Sequence, residues 1–341
     1  MLSISGIKSA GGAANYYGKD DYYVTGEADS PGLTWGGKGS ERAGLKGTST
    51  AEQFRSVLNG SHPAFNEGKP GQINDRHRPG HDLTLSAPKS VSILALVGGD
   101  HRLLEVHRQS VAAAMAYVED NFSITRVRQG DGTIKEVRTG NLVYATTEHQ
   151  TSRAADPQLH SHNVTANKTF DAETGKWRAL ETQHLYKNFK TAGLVYQATL
   201  AKGVMELGYN VVKDVREGTF EIAGVPRGQI EAFSKRHADI QSRIEASEKA
   251  KGRSLTPAER EVIVLKDRPS KLDHPRSELE DRWRQEAKDV GMDLGSLIEG
   301  TKSRGMGADL TPRTSGMAKE RLSLLFQRFK AMTGKEISPH D

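Results

Sequence analysis

Two histidines stand one residue apart in the segment PQLHSHNV, and a third histidine precedes them in the chain. They are His160, His162 and His149. Alternate residues of a β-strand point to the same face, so His160 and His162 project together if this segment is a strand. Neutral imidazoles are common ligands of metal ions in proteins. The spacing therefore predicts a metal site in this segment.

The third histidine ends the segment LVYATTEH, which predicts a central apolar strand. We expect this strand to run antiparallel to the first, joined by the loop SRAADPQ, because that hairpin brings His149 level with the other two. Three neutral ligands leave a divalent ion its full charge and an open coordination position. Such an ion suits a Lewis-acid role on a phosphate oxygen.

The composition restricts the chemistry of the site. The 341 residues include no cysteine, which excludes disulfides, thiolate nucleophiles and cysteine-ligated zinc. Lys and Arg total 48 against 43 Asp and Glu, and the resulting charge of +5 favours an anionic partner only slightly. The N-terminal residues do not resemble a signal peptide, and no apolar run approaches the ~20 residues of a membrane helix. We therefore expect a cytoplasmic protein without membrane insertion.

Patterning of apolar and polar residues predicts the elements that must position these histidines. Strands are expected in MLSISGI, from Asp82 to Ser86, on both sides of the turn GDG, in LVYATTEH and in LHSHNVTANKTF. Helices are expected at about 50–59, after Pro88, at about 101–122 and at about 181–207. The helix after Pro88 should bury Ile93, Leu94 and Leu96. The predicted fold class is α+β, with a central, mainly antiparallel sheet flanked by helices.

The sequence pattern changes near residue 230, beyond which the chain is charged and helical. This change predicts a mixed helix-and-strand domain over residues 1–230 and a helical subdomain over 231–320, with a flexible tail at 321–341. A polar loop from Asn59 to Gly80 is long for a compact domain, which favours a functional loop.

Four motifs stand in the order and at the spacing of one known family. They are NYYGKDDYY, WGGKGSERAGL, DLTLSAPKSVS, and GNLV followed by EHQTSR and DPQLHSHN. Together they resemble the N-terminal relaxase domain of conjugative relaxases of the TrwC/TraI (MobF) type, over about the first 300 residues. The resemblance implies a histidine-pair endonuclease palm, followed by helical fingers that close over single-stranded DNA.

The resemblance also implies a reaction. Relaxases of this type cut one DNA strand at the nic site of a plasmid transfer origin by metal-assisted tyrosine transesterification. The products are a 5′-phosphotyrosine bond and a free 3′-hydroxyl, and the strands can be rejoined or transferred. A tyrosine hydroxyl with a pKa of ~10 is a weak nucleophile at neutral pH, so the phosphate needs the activation that an ion supplies.

Residue by residue, the resemblance assigns roles to eight side chains. His149, His160 and His162 fall on the metal ligands; Tyr16 falls on the first nucleophile, with Tyr17 its neighbour; Tyr22 and Tyr23 fall on a second pair for later strand transfer; and Asp82 falls on an acidic residue that acts as a histidine partner or as a base. Ser161, between two ligands, is expected to face away from them. The implied ion is Mg²⁺ or Mn²⁺, with Zn²⁺ as a further possibility.

DNA contacts are expected from basic side chains near this site. The candidates are Lys89, Arg153, Arg76 and Arg78. Lys89 begins the helix after Pro88, whose N-terminus could also meet a phosphate. The implied partners are the single strand and hairpin of the transfer origin, relaxosome accessory proteins and the coupling protein of a type IV secretion system. The resemblance also implies passage with the DNA into the recipient cell.

Three other functions stay open on the residues alone. A rolling-circle replication initiator of the same superfamily would place its tyrosine after the histidine strand, whereas here the tyrosines come first. A metal-dependent hydrolase of small substrates would need a water nucleophile and no tyrosine. A non-catalytic DNA-binding module with a structural zinc would usually supply four ligands, and three are apparent. No Walker motif occurs, so helicase activity is not expected from these residues.

Overall fold

The computed structural model describes residues 1–17, 24–25, 32–66, 77–214, 218–265 and 274–305. Tyr22, Tyr23, Arg76 and the predicted tail at 321–341 lie outside these residues. Met1–Lys302 cluster into one compact unit and Ser303–Asp341 into a second. The boundary near residue 230, between catalytic domain and fingers, stays a prediction.

The strands build one central sheet and several small two-stranded sheets. They are β1 (Leu2–Ile7), β2 (Val24–Thr25), β3 (Thr34–Gly36), β4 (Gly80–Ser86), β5 (Ile124–Arg128), β6 (Ile134–Arg138), β7 (Tyr144–Thr151), β8 (Pro157–Ala166), β9 (Thr169–Asp171), β10 (Lys176–Arg178), β11 (Val211–Asp214), β12 (Thr219–Ile222) and β13 (His274–Pro275). The central sheet has the order β1-β4-β8-β7-β3, and each neighbouring pair is antiparallel. The predicted fold class is confirmed.

The helices cover the sheet and form most of the C-terminal region. They are α1 (Ala10–Tyr17), α2 (Lys38–Arg42), α3 (Ala51–Leu58), α4 (Lys89–Leu96), α5 (Arg102–Phe122), α6 (Gln183–Glu206), α7 (Arg227–Ala232), α8 (Lys235–Lys251), α9 (Pro257–Leu265), α10 (Arg276–Asp289) and α11 (Leu294–Gly305), with a short 3₁₀ helix at Pro63–Phe65. The predicted helices are confirmed to within two residues at each end. Along the described ranges, no helix is both long and apolar enough to cross a membrane.

The two faces of the central sheet carry different side chains. Leu83, Leu85 and Leu159 point to the face covered by α4, α5 and α6, where the larger apolar core lies. Val164 and Ala166 point to the opposite face, where a second core includes residues of α1 and α3. Since strand side chains alternate, His160 and His162 share this second face with Val164.

Two details of the predicted elements need correction. The segment LHSHNVTANKTF is not one strand, because β8 ends at Ala166 and β9 begins at Thr169. The chain turns between them. The Asn167 side chain accepts a hydrogen bond from the Leu180 backbone N–H, and the Asn167 backbone N–H donates to the Pro79 carbonyl. After Pro88, the helix buries Ile93 and Leu94 completely but leaves Leu96 only partly covered.

Candidate metal centre and tyrosine pair

Strand pairing places the three histidines around one point. β7 and β8 form the predicted antiparallel hairpin, and His149 lies directly opposite His160. One ring nitrogen from each of His149, His160 and His162 lies within 4.8 Å of the others. The ring centroids are 5.0 to 5.4 Å apart. Of the described residues, this is the group of histidines and carboxylates close enough to hold a metal ion.

Hydrogen bonds fix two of these rings in the tautomer whose Nε2 can bind a metal ion. His160 Nδ1 lies 2.9 Å from the Gln158 carbonyl oxygen, and His162 Nδ1 lies 2.7 Å from Asp82 Oδ2. Both oxygens only accept, so each Nδ1 carries the proton and each Nε2 keeps its lone pair. Burial, and next the neighbouring His162, lower the pKa of His160 to about 4. The donor set therefore fits a divalent ion, which binds neutral imidazole.

Asp82 joins the histidine cluster to the tyrosine pair. Its Oδ2 accepts hydrogen bonds from His162 Nδ1, from the Tyr17 hydroxyl at 2.9 Å and from the Thr84 hydroxyl at 3.1 Å. Burial acts to raise the pKa of Asp82, but His162 and the three hydrogen bonds outweigh it and hold the pKa below its usual value. A buried, ionised carboxylate can orient a ligating imidazole and also receive a proton.

Helix α1 brings Tyr16 and Tyr17 to the histidines. Its buried alanines pack against the sheet face that carries the cluster, and the helix ends at the tyrosine pair. The Tyr17 ring lies 5.2 Å from the His162 ring and the Tyr16 ring 6.1 Å from it, measured between centroids. The two tyrosine rings meet edge to face at 4.7 Å. Burial, followed by the charge of Asp82, raises the pKa of Tyr17 well above its ordinary value.

Lys89 has protein partners in the structure. Its Nζ donates to the Pro157 carbonyl at 3.0 Å, and burial lowers its pKa to about 8. The Ser90 amide, in the first turn of α4, donates to Glu221 Oε2 at 2.8 Å. A protein carbonyl and a carboxylate thus hold the two groups that were expected to meet a phosphate. The predicted DNA contact of Lys89 gains no support from this position.

Two more of the predicted DNA contacts, Arg153 and Arg78, are among the described residues. Arg153 is half-buried in the loop between β7 and β8, and Arg78 is exposed just before β4. Their roles stay predictions.

A buried polar network behind the histidines escaped the sequence reasoning. His107 of α5 contacts the Ser161 hydroxyl through Nε2 at 2.8 Å and the Tyr196 hydroxyl through Nδ1 at 2.7 Å. Arg108 makes a salt bridge with Glu148, the neighbour of His149, at 2.9 Å. The prediction that Ser161 faces away from the cluster is confirmed. His107 gave no signal, because it stands at an ordinary helical spacing among apolar residues.

We expect His107 to make stability depend on pH. Burial, then His160 and Arg108, lower its pKa to about 3, against 6.5 for a free histidine. The unfolded chain therefore binds this proton first, and the free energy of unfolding falls as the pH drops below about 6.5, by at most about 1.4 kcal/mol per pH unit. The free energy of unfolding is measured with urea from pH 7.5 to 5. In His107→Gln its dependence on pH should correspond to about one bound proton fewer than in the wild type. An unchanged slope in the variant would assign the titration to another group.

A basic two-stranded ribbon is the second feature without an assigned role. β5 and β6 pair antiparallel and belong to no larger sheet. Arg126, Arg128, Lys135 and Arg138 are all exposed on it. Arg126 pairs with Glu181, whereas the other three have no ion pair among the described residues. The signal in the sequence was the basic residues on both sides of the turn GDG.

Comparisons with known proteins agree with this geometry. The sequence model of the family described as TrwC relaxase matches residues 10–290. The multifunctional conjugation protein TraI of Escherichia coli strain K12 is 38% identical over 332 residues, and a second Escherichia coli TraI is 39% identical over 331. Each alignment covers 94% of this chain but 18% of TraI, so the chain spans less than a fifth of the length of these relatives.

Solved structures give the same match over the whole of their chains. The metal-bound conjugative relaxase TrwC in complex with oriT DNA superposes with a TM-score of 0.75 at 35% identity. TrwC with a 27-mer DNA comprising the recognition hairpin and the cleavage site superposes with a TM-score of 0.74 at 33% identity. Both comparisons cover 86% of this chain and 100% of the other.

Proposed function

Since the chain belongs to the TrwC relaxase family, we propose that it nicks one DNA strand at a plasmid transfer origin through a tyrosine nucleophile. One arrangement carries the proposal: Asp82 Oδ2 binds both the Tyr17 hydroxyl and His162, a member of the three-histidine cluster. A nucleophile pair, a carboxylate and a metal site thus lie in direct contact. A binding module with a structural metal has no need of this arrangement.

The proposed ion is Mg²⁺ or Mn²⁺, held by His149, His160 and His162. An ion there would polarise the scissile phosphate and offset the charge that develops on it. Nitrogen donors favour transition ions over Mg²⁺, so we expect Mn²⁺ to bind the isolated protein more tightly. Zn²⁺ would also suit three imidazoles.

The side chains of this protein would orient the attack and move its proton. Tyr16 attacks the phosphorus, a tyrosine–phosphate ester forms, and the bond from phosphorus to the 3′ oxygen breaks. The proton that the tyrosine loses balances the one that the 3′-hydroxyl gains. Asp82 is the carboxylate that the tyrosine pair reaches, through Tyr17. One phosphodiester replaces another, so the reaction is reversible and uses no nucleotide cofactor.

The basic ribbon is the candidate for recognition of the origin hairpin. The major groove of B-DNA admits a two-stranded β-ribbon, and exposed cations without protein partners suit its phosphates. The ribbon presents Arg128, Lys135 and Arg138 in this way. A TrwC structure with the recognition hairpin shows that a relative binds such DNA.

We expect replacement of Arg128, Lys135 and Arg138 by glutamine to weaken hairpin binding. Each lost phosphate contact reduces the salt slope of binding by about one and lowers affinity by roughly threefold to tenfold. Fluorescence anisotropy at several salt concentrations measures both quantities. Lys202→Gln on α6, also exposed, is the control and should leave both unchanged. If the triple variant binds the hairpin like the wild type, the ribbon does not recognise it.

The proposed reaction has a direct test. The protein is incubated with a single-stranded oligonucleotide that carries a nic site and with Mn²⁺, and a denaturing gel is examined for a covalent adduct. An adduct that carries a label from the fragment on the 3′ side of the break, whose 5′ phosphate is joined to the protein, supports the tyrosine transesterification. Hydrolysed DNA without adduct would indicate a water nucleophile. Uncut DNA with every transfer-origin sequence tried would favour a binding module.

Further parts of the proposal follow from family membership. Residues 231–320 would form fingers over single-stranded DNA, and Tyr22 and Tyr23 would serve the later strand transfer. Relaxosome proteins and the coupling protein of a type IV secretion system would be partners in a bacterial cytoplasm, before passage to the recipient. A replication initiator is the second candidate, and the position of Tyr16 ahead of the histidines disfavours it.

A further inference from the structure

The turn that joins β7 to β8 has an unfavourable backbone conformation. Ala155 has a φ of 56°, and it is the one non-glycine residue with a positive φ among those described. The left-handed region is unfavourable for an ordinary L-residue, because its Cβ lies too close to the following carbonyl oxygen. A conformation of this kind persists only where surrounding contacts hold it. Ala155 is also buried, so those contacts come from the protein.

Ser152 makes hydrogen bonds within this turn, and helix α10 adds contacts from outside it. The Ala155 carbonyl accepts a hydrogen bond from Trp283 Nε1 at 2.8 Å and a second one from Arg282 Nη2 at 2.6 Å. Trp283 is buried, and a buried indole N–H needs a hydrogen-bond acceptor inside the protein. Two donors from one helix therefore converge on the carbonyl of the left-handed residue.

The next two residues of the hairpin are held from outside in the same manner. The Asp156 side chain, almost fully buried, accepts a hydrogen bond from the Lys235 amide at the start of α8 at 2.9 Å. Lys235 Nζ binds Glu286 of α10 at 2.7 Å, which links the two helices. The Pro157 carbonyl accepts from Lys89. Three consecutive residues of the turn are thus fixed by α10, α8 and α4.

This turn lies between two of the metal ligands. His149 precedes Ala155 by six residues and His160 follows it by five. The pairing of β7 with β8 shifts between His149 and Thr151, so a bulge separates the histidine pair from the turn. A bulge changes the direction of neighbouring side chains, and the register of the two strands depends on the turn that closes the hairpin. A change in the turn therefore moves His149 relative to His160.

We propose that Trp283 and Arg282 are positioning residues for the metal centre, which fix the Ala155 turn and thereby the register in which His149 faces His160. The inference rests on the metal site of the proposed function. It gives the C-terminal helices a second role besides any contact with DNA, since α10 supports metal affinity from behind the hairpin.

Calorimetric titration of Mn²⁺ into the full chain, without DNA, tests this inference. Trp283→Phe removes the Nε1 donor and keeps an aromatic ring, and we expect the dissociation constant to rise roughly fivefold. Tyr209→Phe is the matched control, because it removes another buried hydrogen bond, to Asp100 at 2.7 Å, and Asp100 binds Arg102 rather than a residue of the hairpin. It should lower the melting temperature and leave Mn²⁺ affinity unchanged.

A rescue separates positioning from general stability. Ala155→Gly allows the left-handed turn at no steric cost, so in the Trp283→Phe background it should return Mn²⁺ affinity to within about twofold of the wild type. If Trp283→Phe does not fold, Arg282→Gln takes its place in the same comparison. Equal losses in Trp283→Phe and Tyr209→Phe, or no loss in either, would overturn the inference. A wild-type chain that binds no Mn²⁺ would instead refute the metal site itself.

Discussion

Tyr16→Phe is expected to abolish the covalent protein–DNA adduct, with a fall in the nicking rate of more than about a thousandfold. The phenyl ring keeps the packing against Tyr17 and His162 but has no oxygen to form the ester. DNA binding should be unchanged, because the variant retains every charge of the protein. Single-turnover adduct formation on a denaturing gel, with binding followed by anisotropy, measures both effects.

Tyr17→Phe is the informative comparison. The Tyr17 hydroxyl donates a hydrogen bond to Asp82, and its raised pKa keeps the hydroxyl protonated. Its loss should slow nicking by roughly tenfold, because Asp82 loses one of the hydrogen bonds that orient it toward His162. An adduct that persists in Tyr16→Phe and disappears in Tyr17→Phe would reverse the two assignments.

The structure explains why the sequence left two roles open for Asp82, that of a histidine partner and that of a base. One oxygen serves as the acceptor for His162 of the histidine cluster and for a tyrosine hydroxyl. The alternatives, histidine partner or base, therefore describe one carboxylate with both contacts. Its lowered pKa keeps it ionised at neutral pH, as either role requires.

The geometry of the histidines was predictable because strand periodicity and hairpin pairing both act locally. An apolar strand on each side of a short polar loop predicts an antiparallel pair, and alternation then decides which side chains share a face. These two rules place His149, His160 and His162 on one face of the hairpin. The sheet order around them was not predictable. The edge strand Thr34–Gly36 has only three residues and ends at a pair of glycines, which suggests a loop.

Contacts between distant segments were beyond the reach of the sequence. Lys89 was expected to bind a phosphate because it is basic and begins a helix, yet the fold turns it toward the Pro157 carbonyl. Nothing near Ala155 predicts a left-handed residue, which glycine or asparagine would ordinarily occupy. Both features depend on how α4 and α10 pack against one hairpin, and local propensity contains no information on that packing.

The second large effect is expected for His162→Ala, which should lose nicking by more than about a thousandfold while DNA binding is largely retained. The change removes one of the three proposed metal ligands and also the hydrogen bond that holds Asp82 Oδ2. Affinity for Mn²⁺ should fall by at least about a hundredfold, because two imidazoles remain and Asp82 loses its partner.

His101→Ala is the control for this prediction, since His101 is an exposed histidine at the start of α5 and not a member of the cluster. It should leave nicking, Mn²⁺ affinity and DNA binding at the level of the wild type. Retained binding in His162→Ala separates a catalytic ion from a structural one, because loss of a structural ion unfolds the surface that DNA contacts. If DNA binding and the melting temperature fall together with nicking in His162→Ala, the ion maintains the fold, and the proposed role in activating the phosphate is wrong.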